Sequence, residues 1–259
     1  MPELTGTPRA GLPLRVANPH PVEPGYRRLA RVAGVLVRLV ARLDWGPAGT
    51  LPASGGVILV ANHISQADPV VVAHYLIWNG RWPRFLAKQE LWRMPLVGRV
   101  MAGTGQLPVQ RGGERAADSL DAAEAALRRG ECVVVYPEGT ITADPDGWPM
   151  TAHPGAARLA LATGCPVVPL GQWGAQRLLG GRRISWPRLV PRPVLSLRLG
   201  VPVVVSDLDS GDPGTVAELG ERIMAALTGL VAGIRGEPPP AGRFDLRLGR
   251  RVPGARPGA

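Results

Sequence analysis

Short apolar runs alternate with helical patterns along most of the chain. The runs are almost continuous in valine, isoleucine and leucine, which is typical of strands buried on both faces of a parallel sheet. We predict strands at 56–61, 84–87, 106–110, 131–136, 165–170 and 194–199, and helices at 69–79, 115–129, 154–163 and 215–234. The alternation predicts a single α/β domain, with a mostly parallel central sheet covered by helices on both faces.

A helix with two different sides is predicted before the first of these strands, at 26–43. At about 100° per residue, four arginines fall on one side and the leucines and valines on the other. The arginines are Arg27, Arg31, Arg38 and Arg42, and the apolar side carries Leu29, Val32, Leu36, Leu39, Val40 and Leu43. The pattern fits two alternatives: an outer helix that packs on the core with a solvated basic face, or a helix that lies in an anionic membrane surface.

The two ends of the chain lack such periodicity. The N-terminal segment is rich in proline, and the C-terminal segment is rich in proline, glycine and arginine. We therefore predict a flexible arm over 1–25, a domain over 26–235 that includes the amphipathic helix, and a mobile basic tail over 236–259.

Composition and charge narrow the class of protein. The 259 residues are 45% hydrophobic, enough for a sizeable core, and carry a formal net charge of +10. That charge favours an anionic partner such as nucleic acid, an acidic lipid surface or a phosphorylated substrate, without choosing among them. Cys132 and Cys165 lie in apolar runs and form no C-x-x-C pair, so we expect reduced, buried thiols in a cytosolic protein. With neither a signal-peptide pattern nor a run of about 18 apolar residues, we expect a soluble or surface-bound protein.

Four polar clusters lie where predicted strands end. NHISQAD (62–68) follows the first strand, AKQE closes the second, VQR ends the third and PEGT (137–140) follows the fourth. In open α/β sheets, ligands bind beyond the carboxyl ends of the strands. The convergence of four clusters at such ends predicts one shared site.

The first cluster carries a candidate proton acceptor. His63 is followed five residues later by Asp68, which precedes Pro69 in a pattern typical of a helix N-cap. On a continuous helix that spacing separates two side chains by about 140°, but a loop between strand and helix lets them meet. An imidazole held in one tautomer by a carboxylate is a natural base at neutral pH. The alternatives are a catalytic pair, or a polar residue at the lip of a buried strand beside a helix cap.

The other clusters offer groups for an anionic ligand. Glu138 supplies a carboxylate, Gly139 permits close approach and Thr140 has a hydroxyl, although a helix cap or tight turn also explains them. Arg111 ends the VQR cluster with a guanidinium that suits phosphate, and its alternative is a solvated surface residue. Lys88, the single lysine of the chain, also ends a predicted strand.

Taken in this order and at these spacings, the clusters resemble the glycerolipid acyltransferases of the lysophosphatidic acid acyltransferase type. The first block of that family, N-H-x-x-x-x-D, matches Asn62, His63 and Asp68. Its second block, an apolar strand that closes on arginine, is similar to GQLPVQR with Arg111, and AKQEL with Lys88 resembles the segment before it. The resemblance covers roughly residues 30–205.

The third block of the family matches Pro137, Glu138, Gly139 and Thr140, and its fourth is similar to GCPVVPL with Pro169. Two positions depart from the pattern. Ile141 stands where the third block usually has arginine, and His153 lies near where relatives often have lysine. Because both changes remove a cation, they leave the acceptor headgroup open.

The resemblance implies an enzyme that moves a fatty acyl group from an acyl thioester to the free hydroxyl of a lysophospholipid. The first expectation is conversion of 1-acylglycerol-3-phosphate to phosphatidic acid, with another lysolipid or a glycolipid as the alternative acceptor. The donor is acyl-CoA or acyl carrier protein, and no cofactor or metal is expected. It further implies peripheral binding at the cytoplasmic face of the cell membrane, an anionic surface, through the helix at 26–43.

Within that family, the resemblance implies that His63 acts as general base and that Asp68 holds the imidazole. It also implies that Lys88, Arg111, Glu138, Gly139 and Thr140 bind the glycerol phosphate, with Glu138 contacting its hydroxyls.

Two functions of other classes remain as alternatives. A metal-dependent hydrolase would use His63, Asp68, His74 and His153, although the chain has no H-E-x-x-H spacing and His74 sits mid-helix as a core residue would. A non-enzymatic basic protein would bind nucleic acid or acidic membrane. The aromatic content is only 5% and no recognition motif is present, so we expect no nucleic-acid partner.

Overall fold

A seven-stranded sheet organises the part of the chain described by the computed structural model, which covers residues 11–46, 51–109, 118–208, 212 and 214–253. The strands are β1 (Arg42–Trp45), β2 (Val57–Ala61), β3 (Pro83–Lys88), β4 (Leu107–Val109), β5 (Cys132–Val135), β6 (Val167–Trp173) and β7 (Val194–Leu199). Their order is β1-β7-β6-β2-β5-β3-β4. Strands β2 to β6 run parallel, whereas β7 is antiparallel to β6 and carries β1 parallel to itself at the edge.

Helices cover both faces of this sheet. They are α1 (Leu14–Ala17), α2 (Pro24–Val40), α3 (Asp68–Trp78), α4 (Pro95–Gly103), α5 (Asp118–Arg128), α6 (Gly155–Thr163), α7 (Gln176–Leu179) and α8 (Thr215–Arg235), with a 3-10 turn at Gln89–Arg93. Successive residues of β2 point to opposite sides. Leu59 packs in the core under α2 and α3, while Ile58 and Val60 pack in the core under α5, α6 and α8. Burial on both faces explains why the sequences of β2 and β5 are continuously apolar.

The predicted helix at 26–43 ends earlier than its periodicity indicates. Ala41 adopts an extended conformation, and Arg42 then pairs with Val194 as the first residue of β1. Arg42, the fourth arginine of the predicted basic side, therefore lies in a strand and not on the helix. The elements β1, α1 and α7 were not predicted, because they have four residues each and carry little periodicity. The nine-residue helix α4 was not predicted either.

The apolar side of α2 faces outward, which contradicts the alternative of an outer helix packed on the core by that side. The helix is buried along a narrow edge formed by Tyr26 and the smaller residues Ala30, Gly34 and Val37. Exposed apolar side chains include Leu29, Val32 (58% exposed), Val35, Leu36 and Leu39 (65%).

Two of the three arginines on the basic side of α2, by contrast, contact the rest of the protein. Arg27 lies over the Trp82 ring, with its guanidinium carbon 5.2 Å from the ring centroid, and Arg38 lies over Trp78 at 5.3 Å. Such cation–π contacts hold the arginines against the fold. The surface of α2 that remains for a partner is therefore its apolar side, together with the exposed Arg28 and Arg31.

Both ends of the chain are more ordered than predicted. Leu14 and Ala17 of α1 are buried against Trp78 and Trp82, so the expected arm is wrong for these residues. In the expected tail, Arg243–Asp245 (β8) and Arg250–Val252 (β9) form a hairpin. Arg251 of the hairpin makes an ion pair with the buried Asp144 at 2.8 Å. Local composition did not reveal these partners, since they lie far away in sequence. Residues 1–10 and 254–259 lie outside the described part of the chain.

No helix within the described ranges has both the length and the hydropathy to cross a bilayer.

Candidate active site

The loop after β2 leaves the sheet in a direction set by Asn62. Its Nδ2 donates to the carbonyl of Gln172 at 3.1 Å, and its Oδ1 accepts from the Gln172 backbone N–H at 2.8 Å. Gln172 Nε2 in turn donates to the Asn62 carbonyl at 2.8 Å. These bonds extend the β2–β6 ladder by one step at the carboxyl edge of the sheet. Sequence reasoning missed Gln172, although a fully buried asparagine at a strand end requires such a partner.

His63 and Asp68 meet through this loop, as the spacing predicted. His63 Nδ1 lies 2.7 Å from Asp68 Oδ2, and the same oxygen accepts the backbone N–H groups of Ile64 at 2.6 Å and Ser65 at 2.8 Å. Asp68 is the first residue of α3 and makes no side-chain cap, so the N-cap expectation is wrong. Its carboxylate folds back onto the loop that carries His63.

The arrangement assigns the histidine its tautomer. Burial raises the pKa of the fully buried Asp68 carboxyl, while the hydrogen bonds from His63, Ser65 and Ile64 favour its ionised form. Because Oδ2 already accepts two backbone N–H groups, it acts as an acceptor, and Nδ1 of His63 is the donor. Nε2 then carries the lone pair. The His63 side chain is 16% exposed, so this nitrogen belongs to a ring that a ligand can reach.

One aromatic ring stacks on the imidazole, and a second stacks on the first. The Tyr136 ring lies nearly parallel to His63 at a centroid distance of 4.2 Å and an interplanar angle of 19°. The Phe85 ring lies nearly parallel to that of Tyr136 at a centroid distance of 6.2 Å. The stack restrains the plane of the imidazole, while Asp68 restrains its rotation within that plane. Neither aromatic was predicted as a site residue.

Glu138 is bound within the protein. It is 2% exposed, its Oε1 accepts the His63 backbone N–H at 2.8 Å, and its Oε2 accepts the Met150 backbone N–H at 3.0 Å. Burial raises the pKa of the carboxyl to about 8, and the two N–H donors oppose that rise. This geometry favours a role in positioning His63 over the predicted contact with an acceptor hydroxyl.

Gly139 is required by its backbone and by a neighbouring side chain. Its φ is +68°, in the left-handed region, and a Cβ at this position would lie 2.7 Å from Cδ2 of His153. His153 is held there by its backbone N–H, which donates to the Pro137 carbonyl at 2.8 Å. The space beside Gly139, which was predicted to admit a ligand, is therefore occupied by the ring of His153, an exposed residue. Thr140 is half-buried beside this turn, and Ile141 is buried.

Of the two predicted cations, Lys88 lies within the described residues and Arg111 does not. Lys88 is the last residue of β3, exposed, and paired in register with Val109 at the end of β4. It lies at the same edge of the sheet as His63, two strands away from β2. Arg111, two residues beyond Val109, lies outside the described residues, so its role remains a prediction.

A cleft of about 340 Å³ opens beside the His63 loop. Ile64, Thr142, Arg177, Ser185 and Arg188 are among the residues that line it. Thr142 also contacts the His63 loop, because its backbone N–H donates to the His63 carbonyl at 2.7 Å. Arg177 and Arg188 give the cleft two guanidinium groups that suit an anionic ligand.

His74 takes no part in this site. It is 3% exposed and packs edge-on against Trp45 at 5.1 Å and Trp78 at 4.5 Å. Within the described ranges, no group of three or more His, Cys, Asp or Glu residues is arranged to hold a metal ion. The hydrolase alternative that groups His63, Asp68, His74 and His153 therefore has no support in the geometry.

Comparisons with known proteins bear on the same segment. Residues 48–173 match the family model described as Acyltransferase. The chloroplastic 1-acyl-sn-glycerol-3-phosphate acyltransferase BAT2 of Brassica napus is 29% identical over 123 residues, 47% of this chain and 34% of that protein. The chloroplastic 1-acyl-sn-glycerol-3-phosphate acyltransferase LPAT1 of Arabidopsis thaliana is also 29% identical over 123 residues, 47% of this chain and 33% of that protein. The chain thus spans about a third of the length of these relatives.

The fold has a solved counterpart. The crystal structure of the 1-acyl-sn-glycerophosphate (LPA) acyltransferase PlsC from Thermotoga maritima matches with a TM-score of 0.64 and 22% identity, over 83% of this chain and 81% of that chain. The likeness confirms the predicted α/β fold with a mostly parallel, doubly covered sheet.

Proposed function

We propose that this chain, whose residues 48–173 match the acyltransferase family model in line with the order of its polar blocks, transfers a fatty acyl group from an acyl thioester to a lysophospholipid hydroxyl. The proposed acceptor is 1-acylglycerol-3-phosphate and the product phosphatidic acid, because both plant relatives carry that activity in their names. The observation that carries the proposal is the 2.7 Å contact between His63 Nδ1 and Asp68, which leaves Nε2 as the base.

The reaction proceeds in one transfer through a tetrahedral intermediate. Nε2 of His63 takes the proton of the acceptor hydroxyl while its oxygen attacks the thioester carbonyl carbon. The carbon–sulfur bond then breaks, the ester remains on the acceptor, and the leaving thiolate receives the proton from the imidazolium. Asp68 stabilises the imidazolium between these steps. A positioned base of this kind contributes about 10²–10⁴ in rate.

The acceptor phosphate is proposed to bind at the β3–β4 end of the site. Lys88 at the end of β3 and Arg111 beyond β4 are the proposed cations, with Thr140 as a hydroxyl donor. This assignment is supported by the register of β3 and β4, which brings Lys88 beside Val109. Gly139 gives the turn its shape, and Glu138 acts on the acceptor only through its hold on the His63 loop.

We propose that the enzyme works at an anionic membrane surface on the cytoplasmic face, held peripherally by α2. The exposed apolar row Leu29, Val32, Leu36 and Leu39 supports this, because such a row is stabilised when it lies in the boundary between headgroups and acyl chains. The net charge of +10 favours an anionic surface. The donor is acyl-CoA or acyl carrier protein.

The test is a panel of lysolipids incubated with labelled acyl-CoA or acyl carrier protein, with products identified by mass spectrometry. We expect phosphatidic acid from 1-acylglycerol-3-phosphate. His63→Ala should lower the rate by at least about 10². His20→Ala, at an exposed histidine before α2, should not. A folded His63→Ala protein with full activity would exclude the assigned base, and acylation of a different lysolipid would revise the acceptor.

A further inference from the structure

The segment at 181–192, which we name the Trp186 loop, exposes large apolar side chains. Ile184 is 77% exposed, Trp186 92% and Val190 93%. An isolated exposed residue of this kind needs no explanation, but three within seven positions of one loop form a patch. The fold does not cover these side chains, so their exposure to water is unfavourable in free energy.

Arginines are interleaved with these apolar residues. Arg182 and Arg183 directly precede Ile184, Arg188 lies between Trp186 and Val190, and all three arginines are exposed. Tryptophan is enriched where a bilayer meets water, because its ring is apolar and its N–H is polar. Arginines beside it attract anionic headgroups. The composition of the loop therefore matches the boundary of an anionic bilayer in both charge and polarity.

The loop lies at the same edge of the sheet as the candidate active site. Strand β7 is antiparallel to β6, with Ser196 opposite Trp173, so the start of β7 lies where β6 ends. Arg42 pairs with Val194, which brings the C-terminal end of α2 to this edge as well. Arg192 completes the connection, because its Nη2 donates to the carbonyls of Arg38 and Ala41.

The apolar row of α2 and the Trp186 loop are therefore connected surfaces. Leu39, at the end of the row, directly follows Arg38, whose carbonyl holds Arg192. On its inner side the loop contributes Ser185 and Arg188 to the cleft beside Ile64. One side of the loop thus borders the site and the other is exposed.

We propose that the Trp186 loop is a second membrane contact of this protein, which inserts Ile184, Trp186 and Val190 into the headgroup boundary of an anionic bilayer. Arg182 and Arg183 bind the lipid headgroups. Together with α2, the loop sets the orientation of the domain, so that the carboxyl edge of the sheet and its cleft face the bilayer. The proposal rests on the proposed function only in taking the bilayer as the source of the acceptor.

The experiment measures vesicle partitioning of the full chain and of a loop variant, Ile184→Ser/Trp186→Ser/Val190→Ser. The matched control is Val201→Ser/Val204→Ser, which removes apolar side chains that are 75% and 58% exposed. These lie beyond the end of β7, at the opposite edge of the sheet. Vesicles of phosphatidylcholine with phosphatidylglycerol are compared with vesicles of phosphatidylcholine alone, by sedimentation.

We expect the loop variant to partition onto anionic vesicles at least about tenfold more weakly than the parent, because insertion of three large apolar side chains is lost. The control should partition like the parent. Arg182→Gln/Arg183→Gln should weaken binding to the anionic vesicles and leave binding to the neutral vesicles unchanged. Turnover of a short-chain acceptor that stays monomeric in water should be equal in parent, loop variant and control.

Equal partitioning of loop variant and parent would overturn the proposal, and so would a loop-dependent dimer in a protein that does not bind vesicles. Failure of the proposed function has a different signature. In that case the parent binds vesicles through the loop yet acylates neither the monomeric acceptor nor vesicle-borne lysolipids.

Discussion

Asp68→Asn removes one negative charge from the centre of the His63 loop with almost no change in volume. Asp68 Oδ2 accepts three hydrogen bonds, from His63 Nδ1 and from the backbone N–H groups of Ile64 and Ser65. The asparagine must keep its oxygen at this position, because an NH₂ group there would face two N–H donors. Its NH₂ group then takes the place of Oδ1, which is buried and has no hydrogen-bond partner among the described residues.

The magnitude follows from these contacts. A hydrogen bond to a charged group contributes about 1.5–3 kcal/mol and a neutral one about 0.5–1.5 kcal/mol. The imidazolium formed during transfer therefore loses about 1–2 kcal/mol of stabilisation in the variant, which corresponds to about 5–30-fold in kcat. The buried NH₂ group without an acceptor costs about 1–3 kcal/mol of folding free energy.

The assay is steady-state acyl transfer to 1-acylglycerol-3-phosphate, paired with chemical denaturation of the same preparations. We expect kcat to fall by the stated factor with KM unchanged, since Asp68 does not touch the acceptor. The control is Asp44→Asn, which removes a carboxylate paired with Arg198 at 2.8 Å and outside the site. It should lose stability without losing kcat. If Asp68→Asn were as destabilised as expected but turned over at the parental rate, the carboxylate would be a structural group only.

Three further outcomes are expected. Burial, with the nearby Arg38 charge, lowers the pKa of His74 to about 3 from 6.5. Below about pH 6.5 the unfolded chain therefore binds a proton at His74 that the folded chain does not bind. The free energy of unfolding falls as the pH drops through this range. At pH 5 this loss is about 2 kcal/mol. His74→Leu should abolish this part of the pH dependence, measured by urea denaturation at pH 5 and pH 8. An equal pH dependence in the parent and the variant would refute the assignment to His74. Tyr136→Phe keeps the ring stacked on His63 and should keep kcat, whereas Tyr136→Leu should lower kcat more than it raises KM; equal kcat in all three proteins would exclude a positioning role. Gly139→Ala should destabilise the fold by about 1–2 kcal/mol, because φ is +68° at this position and a Cβ would contact His153. Adding His153→Ala should restore part of that loss in thermal melts. If nothing is restored, the whole loss comes from the backbone conformation.

Several features followed from the chain alone. The strand at 194–199 and the helices at 154–163 and 215–234 were predicted within a residue or so of their bounds, because apolar residues that recur at strand or helix spacing are strong local signals. The meeting of His63 with Asp68 also followed, since strand, loop and helix are consecutive in the chain and their geometry is local.

Only the tertiary structure decided which groups face outward and which are already occupied. Both sides of α2 were visible in its periodicity, but the packing of Trp78 and Trp82 against its basic side determined that the apolar side is exposed. Glu138 was predicted from the sequence to contact a ligand, yet its two carboxylate oxygens accept hydrogen bonds from the backbone N–H groups of His63 and Met150. The physical reason is the same in both cases. Sequence patterns report the local conformational preference of each residue. The group that packs against a side chain or hydrogen-bonds to it belongs to a distant segment, which only folding brings near.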